Sequence, residues 1–233
     1  MEQDLTNASV EQIAMFYQTS EKVLLRANMV ISKDGHFSDA NGSSRGLSSP
    51  LDLKILLTLR ALSDAVLVGA STVRTEDYRP IKLSSDFSRL RQTPAKLVII
   101  SRSLDFKPAL RIFSDPMIKP IFITEESNSN QWAQRHKQLE VLGQVFIFPA
   151  PLNLTEVKTH LNSIGFNQIV CEGGPDLLTQ LLELDLVDEL DITQSPVWVG
   201  ELAERTLIHN AIDSWPNRIT AKLGSHRALR IKH

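Results

Sequence analysis

One cysteine, Cys171, in 233 residues excludes an internal disulfide, and with no second thiol there is no Cys-x-x-Cys pair for a structural zinc or a dithiol redox centre. That is the cysteine usage of a cytoplasmic protein. The histidines (His36, His136, His160, His209, His226, His233) are scattered. None forms His-Glu-x-x-His, nor His-x-Glu followed by Pro-Cys-x-x-Cys, so zinc peptidase and zinc deaminase chemistry is absent and no protein-bound catalytic metal is expected. An excess of basic charge is missing too. The 25 Lys and Arg face 27 Asp and Glu, a formal net charge of -2, which argues against nucleic acid or an anionic membrane as partner. No apolar run approaches the roughly 18 residues of a membrane span, and the opening, with Glu2 and Asp4, lacks the basic-then-apolar order of a secretion signal. The chain is expected to be neither exported nor anchored.

What is present is a foldable mixture, 42% hydrophobic and 22% charged, enough to bury a real core. Ser9 with Gln12 three residues on predicts a capping box and a short helix carrying Val10, Ile13, Phe16 and Tyr17. Residues 1–22 are thus an N-terminal helical appendage on a main domain of residues 23–233. From Val23 onward, short Val- and Ile-rich runs alternate with longer amphipathic stretches, the pattern of a largely parallel sheet with crossover helices. Strands are expected over 23–31, 65–69, 96–101, 120–124, 144–148 and 168–172. Helices are expected over 50–62, 130–140, 153–164 and 175–184. The first has Ser49 as N-cap, Pro50 at its first position and Leu51, Ile55, Leu59 and Leu62 on one face. After Leu186, extended segments at 187–193, 218–224 and 226–232, the last two joined by Gly224-Ser225 as a hairpin, make the sheet mixed. The fold class is α/β, a single domain with helices on both faces and a C-terminal antiparallel part. Residues 32–48 and 77–93, rich in polar and turn residues, read as mobile loops.

Two strand-to-helix joints carry chemistry. In Val66-Leu67-Val68-Gly69-Ala70-Ser71-Thr72-Val73, small residues admit a ligand to the backbone and helix-start amides face an anion, with Thr72 adding a hydroxyl. A capped tight turn has the same sequence. In Ile169-Val170-Cys171-Glu172-Gly173-Gly174-Pro175-Asp176-Leu177, a buried strand ends in a carboxylate, two glycines uncover backbone amides, and Pro175 begins a helix where its missing N–H costs nothing. Phosphate fits there, at the carboxyl edge of a central strand where ligands bind in open α/β sheets. A side chain at Gly174 would block that approach and demand a disallowed backbone angle. Neither joint is a Gly-x-Gly-x-x-Gly or Gly-x-x-x-x-Gly-Lys-Ser/Thr loop. Gly42-Ser43-Ser44-Arg45-Gly46 matches Gly-x-Ser-x-Gly, but no buried strand precedes it, so a serine hydrolase elbow is rejected. Asp34 ends the first strand as a turn carboxylate. Arg60 sits in an apolar run near a helix C-terminus, which its charge favours. Ser101-Arg102-Ser103 is a phosphate clamp or a polar loop. Cys171 reads as a buried small hydrophobe.

Asn28-Met29-Val30-Ile31-Ser32-Lys33-Asp34-Gly35, then Leu59-Arg60-Ala61 leading into Asp64 to Val73, then Glu172-Gly173-Gly174-Pro175 leading into Leu186-Val187-Asp188-Glu189-Leu190, together and in this order, resemble the reductase domain of riboflavin biosynthesis. That family has a dihydrofolate reductase-like fold and also occurs fused to a zinc deaminase, which is absent here. The resemblance implies a cytoplasmic, homodimeric, NADPH-dependent pyrimidine reductase. Its pyrophosphate would lie across Thr72, Gly69 and Glu76 and the start Gly173, Gly174, Pro175, Asp176, Leu177, with the 2′-phosphate near Ser101 and Arg102. The substrate, a phosphorylated ribosylamino-pyrimidine, would meet Asn28, Ser44, Arg60, Arg79 and Glu172. Glu172 would orient the pyrimidine edge as a catalytic residue, and Asp34 would orient a loop or a proton-donating water. The family's Asp-Asp-Pro followed by a phosphate-binding arginine is here Glu76-Asp77-Tyr78-Arg79-Pro80-Ile81-Lys82-Leu83. Arg79 or Lys82 would replace that arginine. Otherwise the substrate is another pyrimidine or a pterin such as dihydrofolate, or the chain binds NADPH without turnover.

Overall fold

The computed structural model describes residues 2–115 and 117–233. Its strands lie where the apolar runs place them, with ends shifted by one or two residues. In chain order the elements are β1 (Gln3–Asp4), α1 (Val10–Tyr17), β2 (Leu24–Ile31), α2 (Pro50–Leu62), β3 (Ala65–Gly69), α3 (Ala70–Thr75), β4 (Lys96–Ile100), β5 (Ile121–Glu125), α4 (Asn130–Leu142), β6 (Gln144–Phe148), α5 (Leu154–Ser163), β7 (Gln168–Cys171), α6 (Pro175–Glu183), β8 (Glu189–Gln194), α7 (Leu207–Ser214), β9 (Asn217–Leu223) and β10 (His226–Lys232). Among the described residues one sheet forms in the order β1-β9-β10-β8-β2-β7-β3-β4-β5-β6. The run from β8 to β6 is parallel, while β10 is antiparallel to both β8 and β9. Three elements lay beyond the sequence reading: β1, too short for any period to show; α3, visible only as a helix start; and α7, hidden in a stretch read as connection.

Both faces of the central strands are covered, which is why those strands read as unbroken apolar runs. Side chains alternate across the sheet. Leu67 with Leu25, Ile169 and Cys171 joins the core under α5, α6 and α7, while Val66, Val68 and Val170 meet Ile55 and Leu59 of α2 on the other face. The Ser49 hydroxyl caps α2 by accepting from Asp52 N at 3.2 Å.

The capping box at Ser9 forms with Gln12, and Ile13, Phe16 and Tyr17 of α1 are buried. Two buried arginines hold the end of this helix to the sheet, Arg26 donating to the Tyr17 carbonyl at 3.2 Å and Arg230 to that of Phe16 at 2.6 Å. Beneath them Glu189 pairs with Arg26 at 3.2 Å and Arg230 at 2.9 Å. Burial and the neighbouring Glu189 push the Asp191 carboxyl well above the usual range. Each of the two polar loops also buries apolar side chains: Leu47 in the first, Ile81 and Phe87 in the second.

Candidate active site

At the centre of the sheet the carboxyl ends of β2, β7 and β3 open into a cleft of about 500 Å³. Its walls are α2, the start of α6, α3 with the turn that follows, and the loop after β2. Asn28, Ser44, Arg60, Thr72, Glu76, Arg79, Glu172, Gly174 and Pro175 all line it, so the structure gathers most of the sequence-predicted site in one hollow.

One half is backbone. The two joints are knitted together where Gly69 N donates to the Gly173 carbonyl at 2.8 Å. The Gly173–Gly174 peptide is cis. A Cβ at Gly174 would stand 2.8 Å from Thr72 Oγ1, and one at Gly173 would stand 2.9 Å from Met29 Sδ. The left-handed angle belongs to Gly173, with φ +82°, whereas Gly174 has φ -61° and ψ -177°, open to any residue. The backbone demand expected at Gly174 is therefore at its neighbour, and Gly174 is needed for space alone. No side chain caps the start of α6, so helix-start amides there are open to an anion, and a Cβ at Gly174 would crowd the Thr72 hydroxyl next to them. Leu177 offers only its amide, because its side chain belongs to the core.

The other half is charged. Arg60 Nε and Nη2 donate to the two oxygens of Glu172 at 2.6 and 2.7 Å, a fork-to-fork pair. The Tyr78 hydroxyl also donates to Glu172 and accepts from Arg60 Nη2, the latter at 2.9 Å. Burial works against the Arg60 charge, but the Glu172 carboxylate outweighs it and holds the guanidinium above its ordinary range. Burial likewise pushes the Tyr78 phenol well above 10. Arg60 is therefore a guanidinium and Tyr78 a neutral phenol at any working pH. Glu172 is an acceptor already shared by two donors, suited to orienting an N–H of a ligand rather than to exchanging protons.

Other residues fall differently. Glu76 accepts from Ser43 Oγ at 2.9 Å and Ser44 N at 2.8 Å, holding the loop after β2 over the cleft. Asp34 lies at the start of that loop, outside the cleft lining, accepting from Ser32 Oγ at 2.6 Å, Val199 N at 2.9 Å and Gly200 N at 2.8 Å. Burial raises its pKa, but these donors prevail and lower it to about 2. Ser101 is buried at the end of β4, its hydroxyl accepting from Leu104 N at 3.0 Å. Arg102 beside it is exposed and 3.8 Å from Glu125. Lys82 pairs with Asp115 at 3.1 Å and lines a separate hollow, whereas Arg79 stands at the cleft rim with no ion-pair partner among the described residues. Burial pushes the Cys171 thiol up to about 12, leaving it inert. Sequence reasoning missed Tyr78. Its signal was an aromatic residue inside an otherwise polar loop.

The RibD C-terminal domain family matches residues 23–229. A 2,5-diamino-6-ribosylamino-4(3H)-pyrimidinone 5′-phosphate reductase of Archaeoglobus fulgidus is 28% identical over 180 residues, 74% of this chain and 80% of that one. The crystal structure of a pyrimidine reductase-like protein from Corynebacterium diphtheriae superposes with a TM-score of 0.81 at 28% identity, covering 97% of this chain and 98% of that one. Dihydrofolate reductase of Enterococcus faecalis, at 11% identity and a TM-score of 0.51 over 91% of this chain and 96% of that one, shares the fold.

Proposed function

The chain belongs to the RibD C-terminal domain family, and on that premise we propose that it is an NADPH-dependent reductase of a phosphorylated ribosylamino-pyrimidine, forming the ribitylamino product in riboflavin biosynthesis. One observation carries this reading: Thr72, together with Gly174 at the uncapped start of α6, lines the same cleft as the Arg60–Glu172 pair. That helix start is a cradle that fits a dinucleotide pyrophosphate, and a bound nicotinamide supplies the hydride. The chain's own work is placement. Glu172 accepts an N–H of the pyrimidine edge while Arg60 holds its carboxylate in place. Asn28, whose amide nitrogen donates to the Asp191 carbonyl at 3.2 Å, offers its oxygen to a second donor. Ser44, presented by Glu76, closes the opposite side. Arg79, with its guanidinium unspent at the rim, takes the 5-phosphate in preference to Lys82. Preference for NADPH over NADH rests on Arg102, which is exposed and among the described residues pairs with Glu125 alone, at 3.8 Å, leaving it able to meet a 2′-phosphate.

A homodimer belongs to the same reading, supported by the exposed Trp198 and Leu202 on the segment after β8, and a cytoplasmic location by the single cysteine; sedimentation tests the dimer. The functional test is cofactor oxidation with phosphorylated ribosylamino-pyrimidines and dihydrofolate side by side, using NADPH and then NADH. Turnover of the pyrimidine with NADPH is expected. Turnover of dihydrofolate alone would make the protein a pterin reductase, and tight NADPH binding without any turnover would make it a sensor.

A further inference from the structure

The segment between α3 and the second polar loop touches both walls of the substrate half. Glu76 reaches across to Ser43 and Ser44 of the loop after β2. Two residues on, Tyr78 reaches the opposite way, to Arg60 of α2 and Glu172 at the end of β7. Between them Asp77 turns the chain through a left-handed conformation, φ +46°, so neighbouring side chains leave in different directions. The turn is itself anchored. Glu76 N donates to the Thr72 carbonyl at 2.9 Å and Tyr78 N to that of Val73 at 3.3 Å, and Asp77 pairs with Arg111 at 3.1 Å. The Tyr78 ring packs against the core beside α2, with the Arg60 guanidinium 5.4 Å from its centroid. A side chain serving only as packing would not place its hydroxyl between both members of a buried ion pair.

We propose that Glu76–Tyr78 is a positioning bridge in which Tyr78 aligns the Arg60–Glu172 pair and Glu76 aligns Ser44, so that one rigid turn sets the separation of the two walls that grip the pyrimidine. The inference rests on the pyrimidine reductase reading. Its physical basis is that a carboxylate accepting three hydrogen bonds has little freedom to rotate, and a ligand N–H aimed at it then loses less on binding. Neither Glu76 nor Tyr78 needs to touch the reacting atoms. Because both act through the same backbone turn, their effects are coupled rather than independent.

Removing the Tyr78 hydroxyl while keeping the ring, Tyr78→Phe, is the test. The expected result is a KM for the phosphorylated ribosylamino-pyrimidine raised about tenfold, the worth of one charge-assisted hydrogen bond, with kcat and NADPH affinity near wild type. Combining it with Glu76→Gln should raise KM by less than the product of the two single effects. Hydrogen exchange supplies a readout that needs no turnover: the Ser44 amide, which Glu76 holds, should exchange faster in Tyr78→Phe while amides of β3 do not. A wild-type KM, multiplicative effects in the double variant, or acceleration shared by β3 would overturn the bridge. If the wild type fails to reduce the pyrimidine, the functional reading falls, and the exchange pattern alone then decides whether the bridge exists.

Discussion

Gly174 offers a clean test of the anion cradle, because its backbone, at φ -61°, suits any residue. Replacing it with alanine therefore brings no conformational penalty of the left-handed kind. The added Cβ would stand 2.8 Å from Thr72 Oγ1, too close for both to stay, and the side-chain hydroxyl is the part free to move. The variant should fold, lose the Thr72 donor and crowd the helix-start amides. One hydrogen bond to a charged group is worth about 1.5–3 kcal/mol, which converts to a loss of roughly ten- to a hundredfold in NADPH affinity. Titrating the cofactor into Gly174→Ala by calorimetry measures this, and a melting curve checks the fold. Gly173→Ala is the contrasting control. There the angle is +82° and the Cβ meets Met29 Sδ at 2.9 Å, so about 1–2 kcal/mol of backbone strain alone should lower Tm by several degrees. Wild-type NADPH affinity in a folded Gly174→Ala protein would refute the cradle, whatever the Gly173 variant does.

Three further outcomes follow from the charge arrangement. Arg79→Ala should raise KM for the phosphorylated pyrimidine roughly tenfold and leave its dephosphorylated counterpart unaffected; equal losses for both would remove Arg79 from the phosphate. Arg60→Ala should cost on the order of 3–5 kcal/mol of stability, since it strands Glu172, 6% exposed, without its partner; chemical denaturation showing a loss below about 1 kcal/mol would mean that water already solvates the pair. Asp34 has its pKa depressed to about 2, so its contribution is complete above the ordinary carboxylate range near about 4 and fades as pH falls towards about 2. Asp34→Asn should lower Tm at neutral pH and flatten the acid side of the Tm-against-pH curve, and an unchanged acid slope would show that other carboxylates set it.

Much of the fold was legible because central parallel strands leave a strong trace. Val66-Leu67-Val68 and Ile169-Val170-Cys171 are buried on both faces, so neither alternates and both stand out as apolar runs. The start of α2 was equally plain, since Ser49 and Pro50 each have one favourable place at a helix N-terminus. What stayed hidden has little period to read. β1 is two residues long and pairs in parallel with β9. The loops looked mobile from composition, yet Leu47, Ile81 and Phe87 bury completely or nearly so. Single apolar residues spaced through polar sequence fit no periodic template, so their burial does not show in the sequence.

The site was legible by residue and not by partner, and the difference changes its chemistry. Arg60 in sequence is a cation at a helix end, equally suited to a solvated surface, a substrate phosphate or an ion pair. Its carboxylate lies 112 positions away, and no local pattern encodes such a distance. With Glu172 and Tyr78 engaging it, Arg60 has little left for a phosphate, and so the proposed phosphate site is Arg79, which local sequence ranked level with Lys82. Asp34 differs from Glu172 by position: it accepts from Ser32, Val199 and Gly200 and stands outside the cleft lining, a place suited to anchoring a loop. Motifs therefore locate the cleft, but the assignment of roles within it depends on which donors and acceptors are already spent, and that is settled only when residues far apart in the chain meet.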